Sequence, residues 1–176
     1  MAMSNIMLPE VLNDFNVYME GEKLIGQNAD VEMPEFNFIT DTLSGSGIMG
    51  EIEDPVTGLT ESASIKFKWN CLQADYFDLV NTTRPTTITL RGSQQMINKS
   101  TFETDYYPTK VLVRGKSKSI KLGTWEKGKK QNCETEIEIF YFKVIVDNKI
   151  LIEIDKLNSK FILNGEDLRA KINSQI

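Results

Sequence analysis

Few side chains in this sequence have the types and spacing that catalysis requires. No histidine occurs among the 176 residues. Ser-His and Cys-His nucleophilic pairs are therefore impossible, and a metal site would have to be built from carboxylates alone. Glu136 and Glu138 lie two residues apart, which on a strand places both carboxylates on one face, but a solvated strand face explains this pair more simply. The sequence thus predicts a protein that is not an enzyme.

One glycine-rich segment resembles a cofactor-binding motif. Residues 45–50 read GSGIMG, which matches the dinucleotide-binding fingerprint letter for letter. That fingerprint works because its glycines join a strand to a helix whose N-terminal amides face the pyrophosphate. Here the acidic residues Glu51, Glu53 and Asp54 follow, and these would repel a phosphate group. The glycines therefore indicate an extended loop rather than a nucleotide site.

Charge is distributed unevenly along the chain, whose formal net charge is −5. Residues 1–62 carry 12 acidic side chains and one lysine, whereas residues 108–132 carry eight basic side chains and one acidic one. The basic block could bind a phosphate backbone, but the chain is acidic overall and has no recognisable nucleic-acid module. Complementary surfaces on two copies of the protein explain the same asymmetry.

Alternation of side chains predicts the strands that position these groups. Residues 134–155 alternate, turn at Asp147 and Asn148, and resume, which predicts a long hairpin. Its first strand is expected to carry one face of Ile137, Ile139, Tyr141 and Ile145, and a second face of Glu134, Glu136, Glu138, Phe140, Phe142 and Val144. A short hairpin is predicted at residues 15–26, with its turn at residues 20–22, and a strand at residues 31–38 is expected to be interrupted at Pro34. Further strands are predicted at residues 63–69, 86–93, 106–114 and 161–163, with an irregularity at Gly115.

Two segments depart from the strand pattern. Asn70 and Gln73 suggest a capping box, and apolar residues follow at helical spacing, so one α-helix is predicted at about residues 70–81. Residues 40–62 show no periodicity and are predicted to form a long extended loop, which is typical of functional or disordered segments. The whole indicates a mainly β, single-domain chain over residues 1–176, built as an antiparallel β-sandwich or open barrel.

The sequence also bears on the compartment in which the protein works. Residues 1–13 show no basic start followed by an apolar run, and no segment approaches the roughly 20 apolar residues of a membrane helix. We therefore expect a soluble chain without a membrane segment. Cys71 and Cys133 are the two cysteines, and in a reducing compartment they are expected to remain free thiols.

The order and spacing of several short segments match a known family. The segments are GSGIMG at 45–50, IKFKW at 65–69, RGSQ at 91–94, VRGK at 113–116, FYFK at 140–143, VDNK at 146–149, IEID at 152–155 and LNG at 163–165. Together they resemble the major tail tube proteins of contractile-tailed phages and related contractile bacteriocins. The resemblance covers essentially the whole chain, and its specificity lies in the order of the segments rather than in any one of them.

This resemblance implies a β-sandwich-like subunit that forms hexameric rings. The rings stack head to tail inside a contractile sheath, and the subunits' sheets join into a large β-barrel around a lumen. No cofactor is implied. The implied partners are other copies of the chain, the sheath protein, baseplate or tube initiator and tail terminator proteins, and a tape-measure protein and DNA that pass through the lumen without specific binding. Assembly would occur in the bacterial cytoplasm, before the chain joins a virion tail or a released bacteriocin particle.

Three groups of residues receive roles in such an assembly. The long loop would contact neighbouring subunits through Gly45, Gly47, Gly50, Glu51, Glu53 and Asp54. A basic inter-ring or inter-subunit surface would consist of Arg114, Lys116, Lys118 and Lys121. The lumen is expected to be lined by Glu134, Glu136 and Glu138, because carboxylates would not hold passing DNA. The alternative function is a carbohydrate- or receptor-binding β-sandwich module of a tail tip, which would cluster exposed aromatic residues on loops.

Overall fold

The computed structural model describes residues 7–23 and 28–176. Within these ranges the chain forms strands β1 (Met7–Met19), β2 (Glu22–Lys23), β3 (Asn28–Glu32), β4 (Phe38–Leu43), β5 (Ile52–Thr60), β6 (Ser64–Trp69), β7 (Thr86–Asn98), β8 (Thr104–Lys121), β9 (Cys133–Val146), β10 (Lys149–Asp155), β11 (Lys160–Leu163) and β12 (Glu166–Asp167). The helices are α1 (Ala74–Asp78) and α2 (Ala170–Asn173). The prediction of a mainly β, antiparallel chain is confirmed, and the predicted strands at 86–93 and 106–114 prove longer than expected.

Strand β9 is the centre of the main sheet, in which ten strands are joined. One side of β9 pairs with β8 almost from end to end. The other side is shared, because residues 133–138 pair with β6 and residues 141–146 pair with β10. Beyond β8 the sheet continues through β7, β1 and β2, and beyond β10 through β11 and β12. The predicted hairpin at 134–155 therefore organises the fold.

The hydrophobic core lies against one face of this sheet. Strand β6 shows why, since Ile65, Phe67 and Trp69 alternate with polar residues and all three are buried. Burial of a side chain of this size stabilises the fold by about 1.5–3 kcal/mol. The indole Nε1 of Trp69 donates a hydrogen bond of 3.2 Å to the hydroxyl of Thr135, which is itself fully buried. The core therefore also satisfies the polar end of its largest side chain.

The faces of β9 were predicted correctly as far as Ile139 and wrongly beyond it. Gly115 of β8 pairs with Ile139, whereas Arg114 pairs with Tyr141, so Phe140 is an extra residue that forms a β-bulge. After the bulge Phe142 is buried in the core, and Tyr141 lies on the opposite face. Strict alternation had placed Tyr141 with Ile139. Gly115 accommodates the bulge because any larger residue there would overlap the backbone of β9.

The predicted helix at residues 70–81 is shorter than expected, since α1 spans only Ala74–Asp78. Gln73 occupies the N-cap position, without a side-chain capping hydrogen bond, so the predicted capping box was wrong. The preceding residues are bound elsewhere: the N–H of Leu72 donates to Gln131 Oε1 at 3.2 Å, and the N–H of Gln131 donates to the carbonyl of Asn70 at 2.8 Å. These long-range bonds delay the start of the helix.

A second departure concerns the predicted loop at residues 40–62, much of which is a β-hairpin. Among the described strands, β4 and β5 pair only with each other and form a separate two-stranded sheet. We call residues 38–60 the arm. All of β4 and most of β5 are exposed, so neither strand has a buried face. Apolar and polar residues alternate along a strand when one of its faces is buried. They do not alternate here because both faces are exposed, although the segment is a β-hairpin.

The first hairpin was predicted at residues 15–26, and its first strand is confirmed within β1. The turn at Glu20 and Gly21 joins β1 to β2, where Met19 pairs with Glu22. Most of the predicted return strand, residues 24–26, lies outside the described residues. Strand β1 also begins earlier than predicted, at Met7. The strand predicted at residues 31–38 ends at Glu32, before Pro34, and does not resume: Phe38 begins β4, which belongs to the other sheet.

Candidate functional site

The base of the arm is fastened to the C-terminal part of the chain. The ring centroids of Phe38 and Phe161 are 6.1 Å apart. Nη1 of Arg169 donates a hydrogen bond of 3.3 Å to the carbonyl of Thr57. Just beyond the arm, Nζ of Lys156 donates a 2.8 Å hydrogen bond to the carbonyl of Glu61. These contacts hold the base of the arm in place and leave its far end projecting.

The far end of the arm exposes apolar side chains. Gly47 and Gly50 both adopt positive φ, +94° and +108°, which allows the tight turn between the strands. Next to this turn Met49 is fully exposed, and the cross-strand neighbours Leu43 and Ile52 are 51% and 52% exposed. Exposed apolar groups gathered in this way indicate a surface that another molecule covers.

The arm is also acidic, with four carboxylates and no basic residue between positions 38 and 60. Asp41 and Asp54 face each other across the hairpin. Like charges in directly opposed positions destabilise a strand pair. Within residues 7–23 and 28–176 none of the ion pairs involves Asp41, Glu51, Glu53 or Asp54. The arm therefore presents uncompensated negative charge beside its exposed apolar groups.

The four predicted basic surface residues differ in whether they form an ion pair within the described part of the chain. All of them lie on the surface of the main sheet opposite the core, which we call the polar face. Nζ of Lys121 is 2.8 Å from Glu134, and Nζ of Lys118 is 3.6 Å from Glu138. Arg114 and Lys116 form no ion pair within the described part of the chain, although Lys116 lies directly across the strand pair from Glu138.

The three predicted lumen carboxylates lie together on the polar face of β9, half-buried. Glu134 and Glu138 are the partners of the lysines on β8 just described. Glu136 accepts hydrogen bonds from the hydroxyls of Ser64 and Ser119. The bond from Ser64 is the main cause of the lowered pKa of Glu136, and it outweighs the opposing effect of partial burial. Two of these three carboxylates are thus paired with lysines, and the third, Glu136, is held by two serine hydroxyls.

A groove of about 590 Å³ lies on the polar face, where β8 and β9 meet the turn between β10 and β11. We call it the basic groove. Its lining includes Leu112, Arg114, Lys116, Phe140, Asp155 and Leu157. Leu157 is 78% exposed. The backbone N–H groups of Leu157 and Asn158 donate hydrogen bonds of 3.2 and 3.0 Å to the Asp155 carboxylate. The groove therefore combines apolar surface with two cations and one carboxylate engaged in a turn.

Beside the groove a buried carboxylate is held by three polar partners. Glu153 is only 6% exposed, and its Oε1 accepts hydrogen bonds of 3.0 Å from both Tyr141 and Lys160. Nζ of Lys143 lies 3.4 Å from its second oxygen. Burial opposes ionisation of Glu153, but these partners outweigh it and lower its pKa. Burial and the neighbouring Glu153 carboxylate raise the pKa of Tyr141 to about 12.

Raising the pH above 10 is expected to lower the free energy of unfolding through Tyr141. Because its pKa of about 12 in the folded chain exceeds the ordinary 10.0, the folded chain retains a proton that the unfolded chain releases. This stabilisation is complete below pH 10 and is lost as the pH rises through about 12. Urea unfolding of the wild type and of Tyr141→Phe across this range measures it. Equal pH dependence in both proteins would contradict the assignment.

One strand edge is also unpaired. Only residues 18 and 19 of β1 pair with β2, so in the described part of the chain residues 7–17 have β7 as their single strand partner. Leu8, Val11 and Leu12 on this segment are 43–56% exposed. A long, apolar, unpaired edge is a template for pairing with another chain. The sequence pattern did not reveal this edge, because regular alternation begins only at Phe15.

Neither a metal-binding cluster nor a membrane-spanning helix occurs in the described residues. No three Cys, Asp or Glu side chains within residues 7–23 and 28–176 are grouped so that they could hold a metal ion. No helix in the same ranges is long and apolar enough to cross a membrane. Cys71 and Cys133 are free, one exposed and one buried, as expected. The notable surfaces are the arm, the basic groove, the polar face and the edge of β1.

Comparison of the sequence with known proteins identifies the family to which this chain belongs. The sequence model of the family described as "Phage tail tube protein FII" matches residues 9–176. The tail tube protein of Escherichia phage P2 is 24% identical over 163 residues, which cover 91% of this chain and 92% of that protein. The chain belongs to the phage tail tube protein FII family. It is a non-enzymatic structural component of a phage tail, and the resemblance noted in the sequence is confirmed.

Several residues of the arm and of the basic groove were not predicted from the sequence to belong to a functional surface. They are Leu43, Met49 and Ile52 on the arm, and Leu112, Phe140 and Leu157 in the basic groove. For the arm a signal was present, since apolar residues within a segment that has no core-facing pattern indicate contact with another molecule. For the groove there was none, because Phe140 enters it through a β-bulge and Leu157 through a turn between two other strands.

Proposed function

We propose that this protein polymerises as stacked hexameric rings into the inner tube of a contractile tail, or of a tail-like bacteriocin particle. The observation that carries the proposal is the arm, which projects apolar and acidic side chains that its own chain leaves uncovered. In a head-to-tail contact, a projecting element of one copy binds a different surface of the next copy. Each added copy therefore leaves one free element and one free surface, so the contact generates rings or open polymers. The tube serves as a conduit or rigid shaft driven through the target envelope when the sheath contracts.

The unpaired edge of β1 supports closure of the ring. Pairing of that edge with a neighbouring subunit would satisfy its backbone groups, and repetition around the ring would join the sheets into one barrel without free edges. The arm is the inter-subunit element that includes Gly45, Gly47, Gly50, Glu51, Glu53 and Asp54. Of the predicted basic surface, Arg114 and Lys116 form the inter-ring or inter-subunit contact, whereas Lys118 and Lys121 pair with carboxylates of the proposed lumen surface.

The half of the polar face that carries Glu134, Glu136 and Glu138 lines the lumen in this proposal. Fixed, unpaired cations along the path would bind the phosphates of passing DNA. Lys118 and Lys121 are each paired with one of these carboxylates, so this half of the face offers DNA little attraction. The tube's further partners are the sheath, the tube initiator, the tail terminator and a tape-measure protein. Family membership favours this function over a receptor-binding module of a tail tip.

The purified protein, mixed with its tail initiator complex, is expected to form rings or tubes of uniform width. Negative-stain microscopy detects them, and a helical reconstruction counts the subunits in each ring and shows which side chains face the lumen. A monodisperse monomer at high concentration, with neither rings nor tubes, would refute polymerisation. Burial of the three β9 carboxylates between subunits would refute the lumen assignment alone.

A further inference from the structure

We propose that the arm of one subunit docks into the basic groove of a second copy, so that the arm's carboxylates pair with Arg114 and Lys116. This inference rests on the proposed function and adds the surface that receives the arm. It follows from two features whose charges are in no ion pair within the described part of the chain: a negatively charged arm with exposed apolar groups, and a groove that combines Arg114 and Lys116 with apolar groups.

The charges on the two surfaces complement each other. On the arm, Asp41 and Asp54 oppose each other across the hairpin, and neither is in an ion pair within residues 7–23 and 28–176. In the groove, Arg114 and Lys116 form no ion pair within the described ranges, in contrast to Lys118 and Lys121 on the same strand. Bringing the two surfaces together relieves the repulsion on the arm and compensates the cations of the groove.

The apolar groups complement each other as well. The arm offers the fully exposed Met49 together with Leu43 and Ile52. The groove offers Leu112, Phe140 and the exposed Leu157. Its volume of about 590 Å³ lies within the range of about 300–1,000 Å³ typical of pockets that enclose a small ligand. It is therefore large enough for a few side chains at the end of a hairpin.

The occupant comes from a second copy because the far end of the arm stays exposed in its own folded chain, and among the described residues the arm contributes none to the lining of that chain's groove. Hydrogen bonds from Arg169 and Lys156 fix its base against the C-terminal part of the chain. The groove adjoins the bulge at Phe140 and borders the proposed lumen surface at residues 134–138, because Lys116 of the groove lies across the strand pair from Glu138.

A charge-exchange experiment tests the pairing. The groove variant Arg114→Glu/Lys116→Glu and the arm variant Glu51→Lys/Glu53→Lys are each expected to raise the concentration needed for tube formation by at least about tenfold, because like charges then meet. Combining the four substitutions is expected to restore most of the assembly. The matched control is Lys99→Glu/Lys149→Glu, which changes the net charge equally at exposed positions outside both the groove and the basic block at 108–132, and it is expected to assemble normally.

Several outcomes would overturn the pairing. They are normal assembly of the groove variant, a combined variant as defective as its two parents, and a control that is equally impaired. If Arg114→Glu/Lys116→Glu fails to fold, Arg114→Gln/Lys116→Gln replaces it. The assembly of this second variant is expected to be weaker and less sensitive to salt than that of the wild type. Assembly with unchanged salt sensitivity refutes the pairing. Failure of the wild type to polymerise refutes the proposed function instead.

Discussion

Gly115→Ala is expected to destabilise the folded chain strongly, although it adds a single methyl group. A Cβ at this position would overlap the carbonyl oxygen of Glu138 and lie 2.9 Å from a side-chain methyl of Ile137. Both neighbours belong to β9, the strand that pairs with β8, β6 and β10. The strand cannot move aside without disturbing three pairings, so we expect a loss of about 3 kcal/mol or more, at the upper end for overpacking.

Thermal unfolding of the purified monomer measures this loss. For a chain of this length a loss of that size lowers Tm by about 6–12 °C. Gly45→Ala is the matched control, because no atom lies within 4 Å of its added Cβ, and its stability is expected to stay within about 0.5 kcal/mol of the wild type. Similar Tm values for the two variants would show that the bulge at Phe140 does not depend on a glycine opposite it.

Removal of the arm's far end is expected to abolish tube formation while leaving the subunit folded. Replacing residues 43–52 with Asn-Gly joins Thr42 to Glu53, which already pair across the hairpin, through a two-residue turn of a favoured type. The deleted residues bury almost nothing within their own chain, so the free energy of unfolding should change by less than about 1 kcal/mol. Tube formation loses the element on which the proposed contact depends.

Circular dichroism and thermal unfolding establish that the shortened chain is folded, and negative-stain microscopy with the initiator complex reports assembly. A second variant, Leu43→Ser/Met49→Ser/Ile52→Ser, retains the length of the arm and removes only its exposed apolar groups. It is expected to assemble poorly as well. If the shortened chain forms tubes of normal width at the same protein concentration as the wild type, the arm has no role in assembly. A large decrease in Tm would show that the arm also stabilises the subunit.

Much of the architecture could be predicted from local patterns in the sequence. Ile65, Phe67 and Trp69 alternate with polar residues because one face of β6 is buried and the other is not, and the structure agrees. Asp147 and Asn148 form the turn between β9 and β10 with positive φ, as their residue types indicated. The absence of histidine excludes Ser-His and Cys-His catalysis on composition alone. These features depend on composition or on neighbours in sequence, so they could be read from one chain.

The tertiary structure decided what depends on distant neighbours. The bulge at Phe140 requires Gly115 on another strand, and it reverses the faces of β9 that alternation predicted. The short α1 reflects hydrogen bonds between residues 70–72 and Gln131. Strand register likewise decides that Lys118 and Lys121 pair with carboxylates of β9. Arg114 and Lys116, on the same strand, form no ion pair within residues 7–23 and 28–176. A one-residue shift in register changes which side chains meet, and register is set by the whole sheet.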